Sequence, residues 1–242
     1  MQLVGLTLLG YVIWFGFFGE REAGAITAFD LHALVMVLGG SASAVLVMSK
    51  TRDSLRTLTC LREILPGLGT LDRANQALEA ERDELVTLWL DGRRAQAVEL
   101  AERSAFPATR AMLGLVLRRA SPQAIQAAFT KLRHDELSRW QPAVGNWELL
   151  AKLAPSFGMV GTITGMIQLF RNMGEDTAAL GPALSLALLA TLYGVAFGAG
   201  VAGPIGHYLR GLLDERLGAL ERCEQSVSEL IAASGDALAG GI

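Results

Sequence analysis

Two threonines, Thr162 and Thr191, lie inside long uncharged stretches among small residues at helical spacing. Gly158, Thr162 and Gly165 are separated by four and three positions and share one helix face. Ala187, Thr191, Gly194 and Gly198 follow at intervals of four, three and four. Gly161 and Gly165 add a GxxxG pair, the spacing that lets a second helix approach closely in lipid. Hydroxyl oxygens lining such a stripe can act as neutral ligands or hydrogen-bonding groups for a cation crossing a low-dielectric region. The same spacing also suits plain small-residue packing, with each threonine bonding its own i−4 carbonyl. Spacing leaves both readings open.

The elements that would carry these residues are apolar blocks long enough to cross a bilayer. Four are present, at 3–18, 31–48, 153–170 and 180–205, in a chain that is 51% hydrophobic with 27 glycines. Backbone groups in lipid must pair internally, so each block is expected to be a helix. The first lacks a basic flank or small-residue cleavage site, so it is expected to span rather than to be a signal peptide; its aromatic end (Tyr11, Trp14, Phe15, Phe17, Phe18) marks an interface. Of the 21 Lys and Arg, 15 fall between Lys50 and Glu148 and 3 after residue 209, against one in each short loop, Arg21 and Arg171. That bias predicts a cytoplasmic arm and cytoplasmic N- and C-termini. The expected organisation is all-α: a first transmembrane hairpin at 1–49, a helical cytoplasmic arm at 50–148, a second, pore-lining hairpin at 149–209, and an amphipathic tail at 210–242.

Several functions are disfavoured. No GxxxxGK[ST] string or strand-like run offers a nucleotide site, no nucleophile–base constellation occurs, and nothing suggests nucleic-acid binding. Cys60 and Cys223 form no metal-type cluster, so neither an enzyme nor a resident cofactor is expected. The apolar blocks contain no acid apart from Asp30 at an edge, read as a helix-start residue. Cation passage normally needs an intramembrane acid, so a conducting chain would borrow one from a partner helix.

Within the arm, leucines recur at three and four (Leu55, Leu58, Leu61, Leu65; later Leu85, Leu88 and Leu100). Breaks are expected at Pro66-Gly67 and Gly69, at 104–107, at Ser121-Pro122 with Ser as cap, and at Gln141-Pro142, while 70–101 reads as one charge-rich amphipathic run. Arg93 and Arg94 followed by Glu99 and Glu102 are either solvated charges or a docking surface for a charged partner. In the tail, Leu213, Leu217, Leu220, Val227 and Ile231 form an apolar side.

The strings LAPSFGMVGTITGMIQLFRNMG and LGPALSLALLATLYG closely resemble the third and fourth helices of the MotA/TolQ/ExbB family of ion-driven motor subunits. FDLHALVMVLGGS resembles the second helix of its MotA/PomA branch, as do four spans rather than three. The resemblance implies a homo-pentamer in the bacterial inner membrane, around two copies of a MotB/PomB-like single-span subunit. That partner would carry a membrane aspartate and a peptidoglycan-binding domain. Transported H+ or Na+ would drive rotation against a cytoplasmic rotor protein. It assigns Thr162 and Thr191 to the ion pathway, and Pro155 and Pro204 to coupling at the cytoplasmic helix ends. Arg93-Arg94 with Glu99 only approximates the family's rotor-contact pattern. A TolQ/ExbB-type energy transducer, or a stator serving gliding, the envelope or defence, is therefore the alternative.

Overall fold

The computed structural model describes residues 31–63, 69–172 and 180–239. The first predicted span, Asp30, the Pro66-Gly67 break and the bend joining the last two apolar blocks lie outside the described residues. Within them every regular element is helical and there is no strand. Three helices are long and apolar enough to cross a membrane: Leu31–Met48, Pro122–Arg171 and Ala183–Ala233.

In order, α1 (Leu31–Met48) contains a π-helical turn, Val35–Gly39. It is followed by α2 (Thr51–Thr59) and a 3-10 turn, Cys60–Glu63. Then come α3 (Leu71–Leu90), α4 (Arg94–Arg103) and α5 (Pro107–Leu117). The chain continues through α6 (Pro122–Asn172), α7 (Leu180–Phe197), a second π turn (Gly198–Ala202) and α8 (Gly203–Ala239).

Two compact units result. Among the described residues, one gathers 31–59 with 143–172 and 180–207, the other 60–63 and 69–142 with 208–239. Each has its own core. In the first, Ala33, Val37, Ala154, Leu186, Leu189 and Ala190 pack together with Tyr193 and Phe197. In the second, Leu78, Leu85, Met112, Phe129, Leu220 and Val227 are the large buried groups. The apolar side predicted for the tail is therefore used within the same unit as the arm, with Leu209, Leu212, Cys223 and Leu230 also buried.

Two expected helix boundaries come out differently. Pro142 does not end a helix, because α6 runs unbroken from Pro122 to Asn172. Proline removes one backbone bond, a cost of roughly 3 kcal/mol in a helix interior. Burial of Ala143, Val144 and Trp147 just beyond it opposes that cost. Conversely, the run 70–101 is interrupted. Gly92 adopts φ +75, and Arg93 N–H donates to the Leu88 carbonyl at 2.9 Å, closing α3 with a left-handed glycine cap. The Asp91-Gly92 pair was the visible signal, hidden by the charge periodicity around it. At Ser121-Pro122 the expectation holds: Ala124 N–H donates to the Ser121 hydroxyl at 3.3 Å, and Pro122 opens α6.

Candidate ion-path hairpin

Within the first unit, the two threonines meet. Thr162 on α6 and Thr191 on α7 share a hydrogen bond between their hydroxyls. The Thr162 hydroxyl also lies 3.1 Å from the Gly158 carbonyl and 3.3 Å from the Ala187 carbonyl. The Thr191 hydroxyl lies 3.4 Å from that same Ala187 oxygen. Two hydroxyls and a carbonyl oxygen from two helices thus converge on one small polar spot. Each threonine has an i−4 carbonyl within reach, as the packing reading expects, and each also reaches across to the other helix. Thr162 is half-buried and Thr191 exposed, so the spot opens onto the chain's surface.

The glycines set this distance. A Cβ on Gly158 would stand 2.9 Å from the Ala190 carbonyl oxygen and 3.3 Å from the Thr191 Cα. One on Gly165 would stand 2.8 Å from the Ala183 oxygen, and one on Gly194 2.6 Å from the Ala154 oxygen. Gly161 faces the Ala190 methyl, and Ala187 is itself buried against Gly165. These obstacles are mostly backbone, which cannot swing aside. α6 and α7 therefore touch main chain to main chain, the close approach that small residues permit in lipid. On α1, Gly40 faces the Phe157 ring, which a side chain there would have to displace, whereas a Cβ on Gly39 would only touch the Val35 side chain at 3.8 Å.

The prolines belong to the same hairpin. Pro155 cannot donate to the Ala151 carbonyl, and Gly198 packs over that gap; a Cβ there would lie 2.8 Å from the Ala151 oxygen and 2.7 Å from the Pro155 ring. Gly198 also opens the π turn Gly198–Ala202, and Pro204 follows as the second residue of α8. Helix irregularity and proline thus coincide at one level of the hairpin, a usual origin of bends. Among the described residues from Leu153 to Phe170 and from Leu180 to Ile205 there is no Asp, Glu, Lys or Arg.

Sequence reasoning missed a buried polar link near the end of α1. Asn146 on α6 accepts a hydrogen bond from the Ser49 hydroxyl at 2.7 Å and donates to the Thr57 hydroxyl at 2.8 Å. The Trp147 ring N–H donates to the Thr57 carbonyl at 3.0 Å. Nothing in the spacing of these residues announces the link; only Asn146 beside Trp147 within an apolar stretch hints at it.

In the second unit, Arg93, Arg94, Glu99 and Glu102 are all exposed. Arg94 stacks its guanidinium 5.3 Å from the centre of the Trp89 ring, and Glu99 pairs with Arg103 at 2.6 Å. Arg93 precedes α4 in the turn after Gly92, whereas Arg94, Glu99 and Glu102 all lie on α4, so the basic pair straddles the helix start. Charges the sequence did not single out hold this unit together. The Glu63 carboxylate accepts from Thr70 N–H (2.7 Å), the Thr70 hydroxyl (2.8 Å) and Leu71 N–H (2.8 Å), capping α3. Arg216 is buried, reaches Glu136 at 3.2 Å and lies over the Phe106 ring at 5.3 Å. Arg133 meets Glu224 at 2.6 Å, and Arg222 pairs with Glu79.

Comparison with known proteins agrees with this architecture. Motility protein A of Aquifex aeolicus is 28% identical over 197 residues, which cover 79% of this chain and 75% of that protein. The flagellar MotAB stator complex from Bacillus subtilis has a chain that superposes with a TM-score of 0.72 at 20% identity, over 95% of this chain and 88% of that one. A chain of the C. jejuni MotAB structure superposes with a TM-score of 0.71 at 15% identity, over 96% and 89%. At these identities the superpositions establish the fold. The model of the MotA/TolQ/ExbB proton channel family matches residues 100–222, more than half of the chain, and the chain belongs to that family.

Proposed function

We propose that this chain is the ion-conducting subunit of a MotA-type stator in the bacterial inner membrane. Five copies would surround two copies of a single-span partner that supplies a membrane aspartate and a peptidoglycan anchor. H+ or Na+ passing between them would turn the ring and so drive a flagellar rotor. The observation that carries this reading is the Thr162–Thr191 hydroxyl pair, set on the Ala187 carbonyl and opening onto the surface of two helix stretches, 153–170 and 180–205, that carry no acid. Such a spot offers oxygen ligands but no charge, so it is half of a cation site. A carboxylate facing it from another helix would complete the site. The names of the Aquifex relative and the Bacillus complex support the same reading.

Pro155, which cannot donate to the Ala151 carbonyl packed against Gly198, and Pro204 beyond the π turn are the points where the hairpin would bend as the ion passes. The exposed Arg93, Arg94, Glu99 and Glu102 would present charge to the rotor.

The test co-expresses the chain with its partner and measures motor output and ion flux into liposomes. Thr191→Val keeps the shape and removes the hydroxyl, so assembly should persist while ion-dependent output is lost; Thr191→Ser should restore it. Pro155→Ala should behave like Thr191→Val. Full output from both Thr191→Val and Pro155→Ala would sink the ion-path assignment. Flux that survives replacement of the partner's aspartate by asparagine would sink the shared site.

A further inference from the structure

α2 presents three different faces. Thr57 is buried against Asn146 and Trp147, which ties one face to α6. Leu55 and Leu58, three residues apart, share a second face and are 65% and 64% exposed. Arg52 and Arg56, four apart, occupy the third, with Lys50 just ahead of them. From Ser49 to Arg62 the chain holds four basic residues and a single acid, Asp53.

Position decides what such a helix meets. α1 is apolar enough to span and ends at Met48, with only Ser49 and Lys50 between it and α2. The extended Ser49 (φ −106, ψ 148) breaks the two helices apart. Leu46, Val47 and Met48 are exposed at the end of α1, so the apolar surface continues from the spanning helix towards Leu55 and Leu58. A short helix with leucines beside arginines, starting at the edge of the hydrocarbon, matches an in-plane interfacial helix. The basic side of the membrane is also the side where anionic lipid attracts Lys and Arg.

We propose that α2 is a binding site for anionic phospholipid at the membrane surface. Leu55 and Leu58 enter the acyl boundary, and Lys50, Arg52 and Arg56 engage the headgroup phosphates, their aliphatic stems lying along the same boundary. Thr57, held by Asn146, sets the rotation of the helix that points these groups towards lipid. The proposal requires that α1 cross the bilayer and is independent of the stator reading.

The experiment uses the full chain in nanodiscs with a bimane label on Leu58→Cys. Cys60 and Cys223 are 4% and 0% exposed and stay unlabelled in the folded protein. Acyl-brominated phosphatidylglycerol or acyl-brominated phosphatidylcholine serves as the quencher. A preference of about fivefold for the phosphatidylglycerol is expected, falling towards unity in the Lys50→Gln, Arg52→Gln chain. A second label on Leu46→Cys reports insertion of α1 by itself. Quenching at Leu46→Cys but not at Leu58→Cys would overturn the proposal, because a second copy or a soluble partner would then cover α2. Equal quenching by both lipids would overturn the anionic selectivity.

Discussion

The two units of this chain are built from the same kind of helix and held together by opposite means. In the unit containing the threonine pair, α6 and α7 meet at glycines, with backbone atoms where side chains would ordinarily interdigitate. In the other unit, leucines, a buried phenylalanine and ion pairs hold the helices. On the membrane reading proposed above, with the first unit in lipid and the second in water, solvent explains the difference. Lipid tails offer no hydrophobic gain for bringing two apolar helices together, so close contact comes from removing side chains. Water rewards burial of leucine, and an arginine such as Arg216 can be buried there because Glu136 and the Phe106 ring receive it. A glycine inside a helix is therefore a contact surface at Gly158 or Gly194 in one unit and a weak point at Gly114 in the other, where Gly92 serves instead as a helix-ending turn.

The largest expected effect comes from breaking the glycine contact. Gly194→Val puts a branched side chain where a Cβ alone would lie 2.6 Å from the Ala154 oxygen and 3.1 Å from the Gly158 Cα. Both obstacles are backbone, so α6 and α7 must separate and the Thr162–Thr191 bond must open. Overpacking of this kind typically costs about 1–3 kcal/mol, and rigid backbone on both sides places this site at the upper end or beyond. Expected results are failure to assemble with the partner and a clear fall in thermal unfolding temperature in detergent. A variant that assembled and melted like the unaltered chain would show that the close contact is dispensable.

The corresponding break in the other unit removes a charge. Arg216→Ala removes the partner of Glu136, which is already 19% exposed beside it and gains water on truncation, so the cost falls at or below the lower end of the about 3–5 kcal/mol lost when a fully buried pair is broken. Unfolding monitored by urea titration of the full chain should move to markedly lower denaturant. Adding Glu136→Ala should recover part of the loss, because no orphaned carboxylate then remains. If the double variant is as unstable as the single one, the packing of Arg216 on Phe106 matters more than its charge.

The contrast between the units also explains what could be read from the sequence. The apolar blocks and the threonine–glycine stripe were legible because both are local patterns that recur at fixed spacing. Which carboxylate would receive Arg216 was not legible, since Glu136 is 80 positions away and many acids compete. The same holds for Asn146, which reaches Thr57 from 89 positions away. Pro142 misled because a local rule for ending helices was overridden by packing on its far side. Gly92 misled in the opposite way, its turn signal lying unnoticed inside a helical charge pattern.

A smaller effect separates the units by pH. Burial pushes the Cys223 thiol up from 9.0 to about 11, with the nearby guanidinium groups of Arg82, Arg216 and Arg222 opposing the rise. The folded chain holds this proton more tightly than the unfolded chain. The resulting stability is complete below pH 9 and is lost as pH climbs through about 11. At pH 10 the loss should be about 1 kcal/mol, given about 1.4 kcal/mol for each full unit. Unfolding midpoints measured between pH 8 and pH 10.5 should fall more steeply in the unaltered chain than in Cys223→Ala. Parallel slopes would mean that the thiol does not ionise differently on folding.

The smallest effect sharpens the comparison, because it runs the other way. Gly114 lies within α5, and a Cβ there would meet nothing within 4 Å. Here glycine serves no contact inside the chain and leaves the unfolded backbone unusually free. Gly114→Ala should therefore stabilise the unit by about 0.5–1 kcal/mol, through helix propensity and reduced unfolded-state entropy. The readout is a rise in unfolding midpoint with motor output unchanged. Alanine at Gly158, where a Cβ would meet the Ala190 oxygen at 2.9 Å, should lower the midpoint instead. Opposite signs from one substitution type would tie the role of glycine to its surroundings. A destabilising Gly114→Ala would instead show that this open face of α5 is covered in the assembled protein, and that the arm, too, has a contact requiring a bare backbone.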